Sequence, residues 1–152
     1  MNSIITPQQV IDLVFIPETL VTRSKITAMD IAIAESRYLL PIIGEALYDA
    51  ISAGRYTELR DEYVAPMVAA WTRYIAEPLL AERLGIAQDK DYSEADNDVR
   101  KDAVRRLRRN AQLLSRRMSD YLNAHSDNFA EYNPADNPLN HCTIDGGIVQ
   151  IF

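Results

Sequence analysis

A chain of 152 residues, 47% hydrophobic and 25% charged, has the material for one ordinary globular domain with its own core. Its single cysteine, Cys142, excludes an intramolecular disulfide framework and a four-cysteine metal site, and suits a reducing compartment. With 16 Lys and Arg against 22 Asp and Glu the net charge is −6, which argues against a protein that wraps nucleic acid with its whole surface.

Five glycines are few for a turn-dense β fold, and most of the chain reads as helix. The Met1-Asn2-Ser3 start has no basic run and no long apolar core, so no signal peptide is expected, and no stretch approaches 18 uncharged apolar residues. Thr6-Pro7-Gln8-Gln9 is a helix start: Thr6 caps, Pro7 sits where its missing N–H is not needed, and Gln9 completes a capping box. The helix that follows covers about Pro7 to Val14 and ends before Pro17. A second helix is expected from Ser24 to Leu40, with Ile26, Met29, Ile33 and Arg37 or Tyr38 on its apolar seam and Pro41 as its stop. Gly44 then opens a short helix, Glu45 to Ser52, which Gly54 ends.

The central element is a long apolar helix over about Thr57 to Leu84. Leu59, Tyr63, Met67, Ala70 and Tyr74 form one stripe, and Val64, Val68, Trp71, Ile75 and Leu79 form the next. Two adjacent stripes mean burial over a wide arc. Pro66 and Pro78 each predict a kink or restart. An acidic loop over Ala87 to Asp98 follows, with Ser93 or Asp96 as the next cap. The last helix runs from about Glu94 to Asn123 with a seam of Val104, Leu107, Ala111, Leu114, Met118 and Tyr121. After His125 the periodicity fails, and Asn133-Pro134 and Asn137-Pro138 mark an irregular tail. Residues Ile144 to Phe152 read as a turn and a short strand at the end of the chain. The expected fold is therefore all-α: a single compact domain of about five helices over 1–125, with one long basic helix, then an extended tail over 126–152 ending in a strand.

The last helix carries the most unusual charge. Between Val99 and Met118 lie Arg100, Lys101, Arg105, Arg106, Arg108, Arg109, Arg116 and Arg117 against Asp102 alone, a local balance of +7 that leaves −13 for the rest. At 100° per residue Lys101, Arg105, Arg109 and Arg116 point away from the seam, with Arg106, Arg108 and Arg117 on its flanks. Such a face is either solvated for its own sake or a docking face for something acidic. Seven arginines to one lysine favour docking, because the guanidinium fork pairs carboxylates and phosphates through two hydrogen bonds. That acidic partner is nucleic acid or the acidic remainder of another copy.

Other signals are weak. His125 and His141 have no second cysteine or close histidine to complete a zinc set, and Asp61-Glu62 do not share a helix face. There is no glycine-rich phosphate loop, no G-x-S-x-G and no H-E-x-x-H, so no catalytic residue, cofactor or metal ligand is assigned. Trp71, Tyr63 and Tyr74 read as core. The tail residues Ile148, Val149, Ile151 and Phe152 are too apolar for a free end and have no strand partner elsewhere in a helical chain; they fold back or add to another subunit.

The segment Tyr38-Leu39-Leu40-Pro41-Ile42-Ile43-Gly44-Glu45-Ala46-Leu47-Tyr48 resembles a recurring stretch of the head–tail connector proteins of crAss-like and related tailed phages and their prophages. Glu62-Tyr63-Val64-Ala65-Pro66, a basic helix ending in Tyr121-Leu122, and Gly146-Gly147-Ile148 follow in the same order. The resemblance spans about Ile5 to Phe152, apart from 87–98 and 143–145. It implies an adaptor ring beneath the portal that extends the DNA channel at the head–tail junction of the virion, made in the host cytoplasm. It also implies self-association into a homo-oligomeric ring, a dodecamer being one stoichiometry it allows. The portal and tail-side connectors are the implied neighbours, packaged DNA is touched in passing, and neither membrane nor catalysis is involved. On this reading the interface is carried by Lys101, Arg105, Arg108, Arg109, Arg116, Ile148, Val149, Ile151 and Phe152. The main alternative is a helical nucleic-acid-binding module using Arg105, Arg109 and Arg116; a small enzyme of unrecognised type is a third.

Overall fold

The computed structural model describes residues 3–15, 25–85, 94–145 and 148–151. Helix α1 is Pro7–Val14, and its Thr6 cap carries both hydrogen bonds of the capping box with Gln9. Helix α2, Ala28–Ala34, is capped in the same way by Thr27 and Asp30. A π turn, Glu35–Leu39, joins it to α3, Leu40–Ser52. Helix α4, Thr57–Leu59, passes through a second π turn, Arg60–Val64, into α5, Ala65–Arg83. Helix α6 is Glu94–Ala124. The domain is all-α in character, with α5 packed against α1, α2 and α6.

The path 28–52 divides at Gly44 and not at Pro41. Pro41 does not stop the chain from coiling; it occupies the first turn of α3. Both π turns lie just before a proline. The Leu40 N–H bonds the Glu35 carbonyl and the Ala65 N–H bonds the Arg60 carbonyl, one residue further back than in an α-helix, and Pro41 and Pro66 follow at once. Widening the turn there gives the ring room that an α-turn denies it. Among the described residues the long helical stretches are 7–14, 28–52, 57–83 and 94–124, the second of them kinked at Gly44, where about five helices were expected, and short 3-10 turns follow at Ser126–Asn128 and Pro138–Asn140. Pro78 removes a backbone donor inside α5 without ending it.

The break inside α3 is at Gly44, with φ 77° and ψ 163°. That region is nearly closed to residues with a Cβ. Nothing lies within 4 Å of a Cβ placed there, so strain alone sets the effect. Gly44→Ala is expected to lower stability by about 1–3 kcal/mol in urea unfolding, with the m-value unchanged.

The buried face of α2 is not the expected seam. Ile26 is buried, but Met29 is 67% and Ile33 39% exposed. Asp30, Ile31, Ala34 and Glu35 face inward instead. Polar partners explain this. Asp30 pairs with Arg83 of α5 at 2.6 Å, and the Glu35 carboxylate accepts from the Ile4 N–H at 2.7 Å and the Tyr48 hydroxyl at 2.8 Å. Burial, only partly offset by these donors, holds the Glu35 carboxyl above its usual range. From the second π turn into α5 the wide arc of burial is present, with Val64, Ala65 and Met67 through Thr72 all buried, although Leu79 is exposed.

The two halves of α6 differ. Ala111, Ser115, Met118, Ser119 and Leu122 are buried, but between 97 and 110 every residue is exposed or half-buried, Val104 and Leu107 included. Beyond α6 the chain is not extended as expected. Phe129 and Tyr132 join the main core, and Asn137 is fully buried. The Asn137 amide donates to the Ser119 hydroxyl at 2.7 Å and the Tyr132 hydroxyl at 2.8 Å, and its oxygen accepts from the Leu139 N–H. At the end of the chain β1, Cys142–Asp145, pairs antiparallel with β2, Ile148–Ile151, so the final segment has a strand partner that the sequence reading denied it. Residues 87–93 with the Ser93 cap, the Gly146-Gly147 turn and Phe152 lie outside the described residues.

Candidate functional site

The π turn before Pro41 matters for more than the proline. It sets Tyr38 flat on Trp71 of α5, with ring centroids 3.6 Å apart and planes 4° from parallel. Trp71 is 4% exposed; its indole N–H donates to the Ser115 hydroxyl of α6 at 2.9 Å, and Ser115 in turn donates to the Ala111 carbonyl. Tyr74, one turn on, meets Trp71 edge to face at 5.6 Å. Three elements are thus pinned at one place by an aromatic stack and a short hydrogen-bond chain.

A cleft of about 670 Å3 opens beside this stack. Arg37 comes from the π turn, and Arg108, Arg109 and Arg116 come from α6. Ile42, Leu113 and Leu139 supply apolar lining. Among the described residues no carboxylate lies within ion-pair distance of Arg37, Arg108 or Arg109. A second hollow of about 400 Å3 continues along the exposed half of α6, and Tyr74 and Arg108 line both. Lys101 and Arg105 border this outer hollow. They pair with Asp98 at 3.8 Å and Asp102 at 3.1 Å on their own helix, exposed contacts worth a fraction of a kcal/mol.

The five basic residues of the expected interface therefore fall along one groove: Arg108, Arg109 and Arg116 inside the cleft, Lys101 and Arg105 outside it. Ile148, Val149 and Ile151 belong to β2, a different element, and Phe152 is not among the described residues. The sequence reading missed Arg37 and Tyr38, which it put on a helix seam, and treated Trp71 and Tyr74 as core alone. The one available signal was Pro41 inside a helical pattern, since a proline tolerated there calls for a local change of helix type.

A second aromatic site with carboxylates beside it lies where the π turn Arg60–Val64 meets the C-terminal part of α6. Tyr63 stacks on Tyr121 with centroids 4.1 Å apart, and Arg117 lies 4.8 Å above the Tyr63 ring. Burial first, then the nearby carboxylates of Glu58 and Glu62, push the Tyr121 phenol above its usual range. The two histidines have backbone partners: His125 contacts the Tyr121 carbonyl and His141 the Ala135 carbonyl. Among the described residues no group of His, Cys, Asp or Glu is placed to hold a metal, and no helix is long and apolar enough to cross a membrane. Comparison with protein-family models, with curated proteins and with solved structures finds no match. The arrangement defines a helical domain with a basic, apolar-lined cleft beside the Tyr38–Trp71 stack and carboxylates beside the Tyr63–Tyr121 stack.

Proposed function

We propose that this chain is a structural virion protein, a head–tail connector that docks beneath the portal as a ring and extends the DNA channel. It works by assembly and makes or breaks no bonds. The observation that carries the reading is the split along α6: a basic half that the core leaves largely uncovered, on a chain whose remainder is strongly acidic. A ring needs two different patches on each subunit, and such a split supplies them. The order of the Tyr38–Tyr48, Glu62–Pro66 and Gly146–Ile148 motifs supports the same reading. A net acidic balance also suits a channel wall that must not retain passing DNA. The terminal strand serves as an arm towards a neighbour or the portal.

Co-expression with the portal protein of the same phage or prophage, followed by purification on the portal, tests the reading. Co-purification in a fixed ratio is expected; a portal that emerges alone overturns it. Removing residues 146–152 is expected to weaken this assembly while far-ultraviolet circular dichroism changes little. Undiminished assembly would remove the arm from the account.

The arginine groove gives a second reading, nucleic-acid binding. It requires micromolar or tighter affinity for DNA that falls steeply with salt and is abolished by replacing Arg105, Arg109 and Arg116 with Glu. Absence of binding at low salt excludes it.

A further inference from the structure

The cleft gathers three guanidiniums for which the described residues offer no carboxylate. Like charges held together in a concave site repel one another, and an anion brought in from outside relieves that repulsion. Two features narrow the anion. Tyr38 already covers the Trp71 face, so no open aromatic platform of the kind that stacks the bases of single strands is provided by that ring. The lining from Ile42, Leu113 and Leu139 is apolar, which suits a ligand that brings side chains along with its charge. The partner chemistry is therefore a protein surface with carboxylates beside an apolar or aromatic ridge.

The chain carries such a surface. Glu58 and Glu62 are exposed and flank the Tyr63–Tyr121 stack. Among the described residues neither is within ion-pair distance of a cation, whereas their neighbour Asp61 is held by Arg60 at 2.7 Å. Arg117 over Tyr63 reduces the negative charge there without cancelling two carboxylates. Along the helical run 57–83 the two carboxylates lie 9 to 13 residues from Trp71, roughly 16 Å at about 1.5 Å per residue. Neither Glu58 nor Glu62 lines the cleft, so the two patches use different residues of one copy.

We infer that the Arg37–Arg108–Arg109 cleft of one copy receives the Glu58–Glu62 ridge of the next. The contact is head-to-tail, and repetition closes a ring or extends a filament according to the rotation per copy. The inference rests on the assembly reading above and names its interface.

The test uses charge reversal and native mass spectrometry on the full chain, alone and with the portal ring. Arg37→Glu with Arg108→Glu and Arg109→Glu turns the cleft, in which Arg116 remains, net acidic, so that both patches of a copy are acidic; Glu58→Arg with Glu62→Arg makes both basic. Each charge-reversed variant alone is expected to associate about 100-fold more weakly than wild type, with helix content retained. Mixed one to one, the two variants alternate, every contact is again between opposite charges, and assembly returns. Variants that assemble like wild type overturn the inference while leaving the connector reading intact. A mixture that stays dissociated overturns it too, as does loss of assembly on Glu45→Lys with Asp49→Lys when the Glu58 and Glu62 reversal is silent. A cleft that binds an oligonucleotide, with self-association unaffected by reversal, assigns the site to nucleic acid instead. A wild-type chain that never associates, alone or on the portal, removes both the interface and the reading beneath it.

Discussion

Replacing Trp71 with alanine is expected to lower stability by about 3–5 kcal/mol, the range for emptying a buried aromatic site. The side chain is 4% exposed, and three contacts go with it: the Tyr38 stack, the Tyr74 edge and the Ser115 hydrogen bond. These join the π turn, α5 and α6, so the loss also loosens the wall of the cleft. Trp71→Phe separates the effects. A phenyl ring still stacks on Tyr38, and the lost indole N–H leaves Ser115 bonded to the Ala111 carbonyl. Its cost should stay near 1 kcal/mol, that of one hydrogen bond. Urea unfolding of the two variants checks the difference. Equal losses for Phe and Ala would mean that the indole hydrogen bond, and not the stack, holds these elements together.

Arg83→Ala is expected to cost about 3 kcal/mol at neutral pH. Breaking a buried ion pair by removing one partner leaves the other charge without compensation. The Asp30 side chain is 6% exposed and the Arg83 side chain 23%, so the effect falls at the low end of the range for such pairs. Burial alone would raise the Asp30 carboxyl, but hydrogen bonds from Arg83 and Thr27 outweigh it and hold the carboxyl below its ordinary value. A carboxyl with a lowered folded-state value stabilises the protein above its unfolded-state value, and that stability is lost as pH falls through the folded value. The gap between wild type and Arg83→Ala should therefore narrow below about pH 4. A gap independent of pH would show that Arg83 acts by packing and by its bond to the Lys25 carbonyl, and not through the Asp30 charge.

Local chemistry made part of this fold legible in the sequence. Thr6 and Gln9 announce α1 because the capping box uses neighbours in the chain. Gly44 announces a break because only glycine enters its φ/ψ region without strain. The wide apolar arc of α5 is legible because a central helix buries most of its circumference. The orientation of α2 was not. Periodicity put Met29 and Ile33 inside, but Asp30 and Glu35 won the buried positions through Arg83, Ile4 and Tyr48, which lie 53, 31 and 13 residues away. No local pattern carries partners at such separations. Thr27-x-x-Asp30 was a missed capping signal of the same kind as Thr6-x-x-Gln9.

The candidate site divides the same way. The arginines of α6 stand out by composition, and Arg108, Arg109 and Arg116 do meet in a cleft. The opposite wall depends on a π turn that shifts Arg37 and Tyr38 by about one residue from an α-helical register. Helical periodicity is blind to that shift. The uneven burial of α6 was hidden too, because Val104 and Leu107 continue the apolar step pattern although the core ends near Ala111.

Copies of the chain are proposed to meet through the basic groove of one and the acidic ridge of the next. Native mass spectrometry of the wild-type chain, titrated at low salt onto the purified portal ring and then brought to high salt, tests that idea most directly. The account predicts one discrete complex with a fixed number of copies, dissociating as salt screens the charges. Portal and chain that keep their separate masses at every concentration would contradict it.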